Sequence, residues 1–192
     1  MQYVPPVLRS NDFFVEHLTD APDTLRLLDA FSSQGKASGL EMYLKELAVK
    51  DEKAHESRTY LVKDALTKEL AAYFSLRSCL IPISVTKELF DTIPAIELSN
   101  FAVNERYRAR QRAVGKIGAY TFVNFIRPLA LQASTIIGAK WLCLYSLPEM
   151  KLIDYYSTLG FTRLDKEREL FVYSHVKPKY DENCIFMYQG IR

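Results

Sequence analysis

Cysteine is scarce in this chain. Cys79, Cys143 and Cys184 stand far apart among apolar residues, with no CxxC and no Cys/His ligand spacing. That argues against a metal or disulfide framework and leaves buried thiols in a reducing compartment as the expectation. Histidine is as sparse: His17, His55 and His175 have no partners at ligand spacing, so no metal site is expected. No uncharged apolar run approaches the length of a membrane span, so no membrane partner is expected. The first ten residues show neither a charged n-region nor an apolar h-region, so no signal peptide is read and a cytoplasmic location is expected. There is no internal repeat, low-complexity tract or linker, and 192 residues suit one domain, 1–192, with a real core. A net charge of +2 is too small to argue nucleic-acid binding by itself.

What charge there is concentrates in one place. Arg106, Arg108, Arg110, Arg112 and Lys116 crowd a stretch read as a basic turn, Glu105 to Lys116. The turn lies between a strand, Ala95 to Val103, and a long helix entered through Gly115. A second strand, Trp141 to Tyr145, and a short helix closing on Tyr156-Ser157-Thr158-Leu159-Gly160-Phe161 follow. Strand, helix, strand at this spacing is a βαβ unit with a parallel pair. A basic turn at a helix start favours anions, so the unit reads as a holder for a phosphorylated cofactor.

The flanking elements are read from periodicity. An edge strand is expected at Phe13–His17, then a helix through Leu25, Leu28 and Phe31. A second helix carries Leu40, Tyr43, Leu44, Leu47 and Ala48 and ends in a polar, solvated tail from Lys50 to Ser57. Arg58–Lys63 and Leu70–Ile83 form a hairpin whose second strand, apolar on both faces, lies inside the sheet. Ser84–Ile93 reads as a loop or short helix. Within the long helix Arg127-Pro128 predicts a kink, and Gly138 its C′ residue. Pro148 is placed in the first turn of the next helix and Gly160 at its exit. Leu170–Val176 and Cys184–Tyr188 complete the set as strands. The count gives a mixed α/β sheet with helices on its faces.

Three stretches carry a resemblance to the GCN5-related N-acetyltransferases. Ile96-Glu97-Leu98-Ser99-Asn100-Phe101-Ala102-Val103 is like the family's central strand with its Ala-Val ending. Arg112-Ala113-Val114-Gly115-Lys116-Ile117 is similar to its Gln/Arg-x-x-Gly-x-Gly/Ala pyrophosphate loop. Tyr156 to Phe161 resembles its Tyr-x-x-x-Gly-Phe closing motif. Two departures stand out: Ile117 replaces the loop's last small residue, with Gly118 next, and Glu149 stands where many relatives have asparagine. Phe31 to Gly35 with Leu40-Glu41-Met42-Tyr43-Leu44 further resembles the opening of acetyltransferase toxins that modify aminoacyl-tRNA.

The resemblance implies an α+β fold with a mixed, centrally splayed sheet and helices on both faces. It implies acetyl-CoA as acyl donor and direct transfer to a primary amine on a small molecule or peptide. An amine of pKa about 10.4 is neutral in only about one molecule in a thousand or fewer at pH 7, so a base has roughly 4 kcal/mol to offset. Glu97 is the candidate base, directly or through water, and Tyr156 the candidate acid for the departing sulfur. A backbone N–H near Val103 would hold the oxyanion, and Ala102 and Val103 would pair with the pantetheine arm. Phe101, Ala102, Val103, Arg110, Arg112, Val114, Gly115, Lys116 and Gly118 are the expected cofactor-binding set. Two alternatives stand beside this: a CoA-binding or regulatory module without turnover, and a toxin-type enzyme acting on charged tRNA. The pattern leaves oligomeric state open, a dimer included.

Overall fold

The hairpin expected from two β-favouring runs is present in the computed structural model. β3 (Arg58–Asp64) and β4 (Leu70–Ser84) pair antiparallel from Arg58↔Leu76 to Lys63↔Leu70. The structure describes residues 7–33, 38–84, 86, 89–110, 116–176 and 183–191. Asp64 turns the chain: its Oδ1 accepts the amides of Leu66 and Thr67, each at 2.8 Å, and its Oδ2 accepts the phenol of Tyr107. Burial alone would raise the Asp64 carboxyl, but these donors outweigh it and hold it below its ordinary value of 3.8. A depressed carboxyl adds stability above its unfolded pKa and loses it as pH falls through the folded one. Asp64→Asn is therefore expected to lower stability at pH 7 by about 1 kcal/mol. The gap should close on acidification below the ordinary value, as melting temperatures from pH 7 to 3 would record; a gap constant with pH would refute the assignment.

The strands hydrogen-bond in the order β1-β2-β3-β4-β5-β6-β8-β7. The chain divides into two compact units, Met1–Arg77 with Asn100–Pro128, and Ser78–Ser99 with Leu129–Arg192. β4 and β5 (Phe90–Val103) pass from one into the other, as does the long helix.

In the first unit, β1 (Leu8–Arg9) pairs antiparallel with β2 (Phe13–His17), which pairs with β3. Phe13–His17 is thus an inner strand, not the expected edge, because a two-residue strand covers it. α1 (Pro22–Asp29) starts with proline, whose missing N–H costs nothing at that position. α2 (Ser38–Met42) widens into a π turn at Tyr43–Leu47 and resumes as α3 (Ala48–Lys53). Leu28, Phe31, Leu44 and Ala48 pack with Leu61, Leu70, Tyr73 and Ala102 in one buried cluster. Phe31 meets Tyr73 edge-on at 5.3 Å between centroids, and the Tyr73 phenol donates to the Leu40 carbonyl at 2.6 Å. The tail of the second helix is not simply solvated. Glu52, its side chain only 10% exposed, holds His17 Nε2 at 2.9 Å and Arg58 Nη1 at 3.0 Å, tying the end of α3 to the sheet.

The long helix runs as α5 (Ile117–Thr121), a π turn at Phe122–Ile126 and α6 (Arg127–Ile137). The expected break at Arg127-Pro128 takes the form of that π turn. A proline ring clashes with the carbonyl four residues back, and the wider turn makes room: the Arg127 amide reaches Phe122 O. Gly138, at φ 71°, ends the helix as expected, its N–H on Ser134 O at 2.9 Å.

In the second unit β6 (Trp141–Ser146) is parallel to β5 and antiparallel to β8 (Ile185–Gly190), and β8 pairs with β7 (Thr162–Arg163). Cys143, Ala95, Ile81, Phe186 and Val172 form its core. All three cysteines are thiols. Ser84–Ile93 is not a loop or helix throughout, since β5 begins at Phe90. Pro148 is not in the first turn of α7 (Met150–Thr158); Glu149, in extended conformation, is the N-cap and the proline precedes it. Gly160, at φ 95°, does form the exit. Leu170–Val176 is not a strand. Leu170 to His175 belongs to α8 (Lys166–His175), with Val176 its extended C-cap; Asp165 caps the other end by accepting the Arg168 amide at 2.9 Å, with Glu167 and Glu169 in the first turn. Val172 turns inward while Leu170 stays exposed.

Candidate active site

β5 carries both the expected pairing edge and the expected base. Its parallel ladder with β6 joins Ala95↔Trp141, Ile96↔Leu142 and Glu97↔Cys143, and among the described residues it has no further pairs. β5 nevertheless continues to Val103 and β6 to Ser146, so the central strands part after Glu97. This is the splay expected of the sheet.

In the first unit Phe101 and Val103 are half-buried and Ala102 is buried. Immediately after Val103 the Asn104 amide donates to Ala71 O at 2.8 Å, and the Glu105 amide to Ser32 O at 2.9 Å. Those two donors are committed, so an oxyanion contact from this stretch would have to come from Val103 or before. The basic stretch is not a turn over its whole length: Glu105–Arg110 is a helix, α4. Asn104 Oδ1 accepts the Arg106 amide at 3.1 Å, capping it, and Arg108 pairs with Glu105 one turn away. Arg110 closes α4, Lys116 is the exposed N-cap of α5, and Gly118 lies in the first turn of α5. Arg112, Val114 and Gly115 lie outside the described residues.

In the second unit Glu97 is 3% exposed. Its register partner is Cys143, so the two side chains share a face of the sheet. Tyr145, two residues on along β6, has its phenol pushed well above the ordinary value by burial first and by the Glu97 carboxylate second. Tyr156 is half-buried in the last turns of α7, its ring 5.7 Å from Phe161 in a T-shaped contact and 5.3 Å from Tyr155. Burial pushes the Tyr156 phenol well above its ordinary range, with Tyr155 adding to the effect. The group is therefore a held proton at neutral pH. Tyr155 points its hydroxyl into the interior with no hydrogen-bond partner, and burial raises it to about 12.

Sequence reasoning passes over Asn104, which is 5% exposed. The signal is there: an asparagine directly before Glu105-Arg106-Tyr107-Arg108 is an N-cap pattern. Tyr73 and Phe74 on β4 are fully buried and belong to the core. Among the described residues no three His, Cys, Asp or Glu side chains come together as metal ligands, and no helix is long and apolar enough to cross a membrane.

No protein-family model matches the chain, and no curated protein does. Solved structures do. A tyrosine-to-phenylalanine mutant of the toxin AtaT, bound to the C-terminus of the antitoxin AtaR and acetyl-CoA, gives a TM-score of 0.66 at 20% identity, covering 94% of each chain. A tyrosine-to-phenylalanine mutant of KacT gives 0.67 at 16% identity, over 94% of this chain and 96% of that one. AtaT complexed with acetyl-methionyl-tRNAfMet gives 0.62 at 19% identity, over 91% and 94%. The fold is that of the GCN5-related N-acetyltransferases.

Proposed function

We propose that residues 1–192 act as one catalytic domain, an acetyl-CoA-dependent N-acetyltransferase that transfers the acetyl group directly to a primary amine. The observation that carries this reading is the parting of β5 from β6 after Glu97, with β5 running on to Val103. A strand continuing past its ladder offers backbone groups to an extended amide chain such as pantetheine. In this reading Phe101, Ala102 and Val103 hold that arm. Arg110, Arg112 and Lys116, with the backbone of Val114, Gly115 and Gly118, hold the phosphates.

In the transfer step the neutral amine nitrogen attacks the thioester carbonyl carbon; an N–C bond forms and the C–S bond breaks. Glu97 takes the amine proton, directly or through water, and Tyr156 gives its phenolic proton to the departing sulfur. Solvent restores both groups, and the products are an amide and the CoA thiol.

The AtaT complex with acetyl-methionyl-tRNAfMet favours a narrower acceptor, the α-amine of an aminoacyl-tRNA. Such an amine has a pKa of about 8 or below, which lightens the work of the base. The arginines of α4 would then meet RNA phosphates, and binding would fall steeply with salt. Acetyl transfer from labelled acetyl-CoA to charged tRNA, set against a panel of free amines, separates the two acceptors.

The first test is a melting curve. Acetyl-CoA at about a hundred times its dissociation constant is expected to add about 2.7 kcal/mol, roughly 5–10 °C for a chain of this size. An unchanged melting temperature would remove the acetyltransferase and the CoA-binding module together. A shift without CoA release across the amine and tRNA panel would favour the module.

A further inference from the structure

Asn104 does more than cap a helix. Its Nδ2 donates to Leu70 O at 2.7 Å, while Oδ1 accepts the amides of Ser32 at 3.3 Å and Arg106 at 3.1 Å. Its own N–H donates to Ala71 O and its carbonyl accepts the Arg108 amide at 2.9 Å. An N-cap needs only the Arg106 bond. The bonds to Leu70 and Ser32 join two further pieces of chain, the start of β4 and the segment after α1, to the residue that follows Val103. The neighbouring amide of Glu105 returns a second bond to that segment through Ser32 O, and the Ser33 amide goes on to Glu41 Oε2 at 2.8 Å.

We infer that Asn104 is the positioning residue for the end of β5, fixing Ala102 and Val103 for pairing with the thioester arm and linking that edge to Ser32 and Ser33. The inference rests on the acetyl-CoA site proposed above. A strand end without such a clamp frays, and a ligand that pairs with it must bear the entropy of ordering it. With Asn104 bonded on the β4 side, much of that ordering precedes the ligand. Anything that stiffens Val103 further acts through the same side chain on the Ser32 amide.

Two variants test it. Asn104→Ala removes every side-chain bond; Asn104→Asp keeps the acceptor for Ser32 and Arg106, loses the donor to Leu70 and turns a carboxylate oxygen toward that carbonyl. Titration calorimetry with acetyl-CoA should show the dissociation constant rising about tenfold in the first and about threefold in the second, in step with the bonds removed. Hydrogen exchange should show the Ser32 and Ser33 amides slowing when acetyl-CoA binds the unaltered chain and failing to slow in Asn104→Ala. A purely structural asparagine would lower the melting temperature of the variants yet leave affinity and the ligand-dependent slowing intact, and that result overturns the inference alone. If Asn104→Ala does not fold, an unchanged affinity in Asn104→Asp overturns it equally. Absence of acetyl-CoA binding by the unaltered chain would instead remove the proposed function, and this inference with it.

Discussion

Glu97→Gln is expected to slow acetyl transfer at pH 7 by about a hundredfold or more, the range of a positioned base. Glutamine matches glutamate in size, so the packing of a side chain only 3% exposed beside Cys143 is preserved. What disappears, under the proposed mechanism, is the site that receives the amine proton. The variant should therefore recover rate as pH rises and the acceptor loses its proton unaided. Steady-state rates from pH 6 to 10, with a melting curve to show that the fold is kept, decide the point. An unaltered rate and profile would leave Glu97 as a buried carboxylate of the core and the base unassigned.

Tyr156→Phe is expected to lower turnover by about a hundredfold while acetyl-CoA affinity changes by no more than about twofold. The asymmetry follows from the geometry. The ring packs against Phe161 and Tyr155, contacts that phenylalanine keeps, so only the hydroxyl is lost. The sign of its pKa shift fits a donor: a raised phenol stays protonated to higher pH and is spent only above its folded pKa, so Tyr156 should impose no basic limb below about pH 10. A thiol of pKa about 8.5 leaves tolerably without help, which is why the loss is moderate. Equal losses in affinity and turnover would make Tyr156 a packing residue. Unchanged turnover would pass the role of acid elsewhere, with Tyr145 the first phenol to test.

Much of this architecture is legible in the sequence because single signals dominate it. Leu70-Ala71-Ala72-Tyr73-Phe74 can only lie inside a sheet, and it does, all of it buried. Gly138 and Gly160 end helices at positive φ, where a side chain is strained. Expectation and structure part where two signals compete. Leu170-Phe171-Val172-Tyr173 has the composition of a strand, yet the cap at Asp165 and the acidic first turn make it α8. The charge of Glu105–Arg110 suggests a basic turn and masks the asparagine before it, which starts a helix there. At the candidate site, Glu97 and Ala102-Val103 lie on a single strand and are proposed through its resemblance to the acetyltransferase family's central strand. Asn104 cannot be valued the same way, since its partners at Ser32 and Leu70 are distant in sequence and come together only through the fold.

The π turn at Phe122–Ile126 bears on how this chain can change. It amounts to one surplus residue wound into a helix that otherwise advances about 100° per position. Deleting one residue there would restore regular winding and leave the stretch from Arg127 to Ile137 facing as it does; winding the full sequence regularly would instead turn that stretch by about 100°, swinging Leu129 and Ala130 out of the interior and Ile136 around from its exposed position. A shortened helix would thus stay aligned but bring the Pro128 ring against a regular turn, so the surplus residue and the proline that follows it depend on each other.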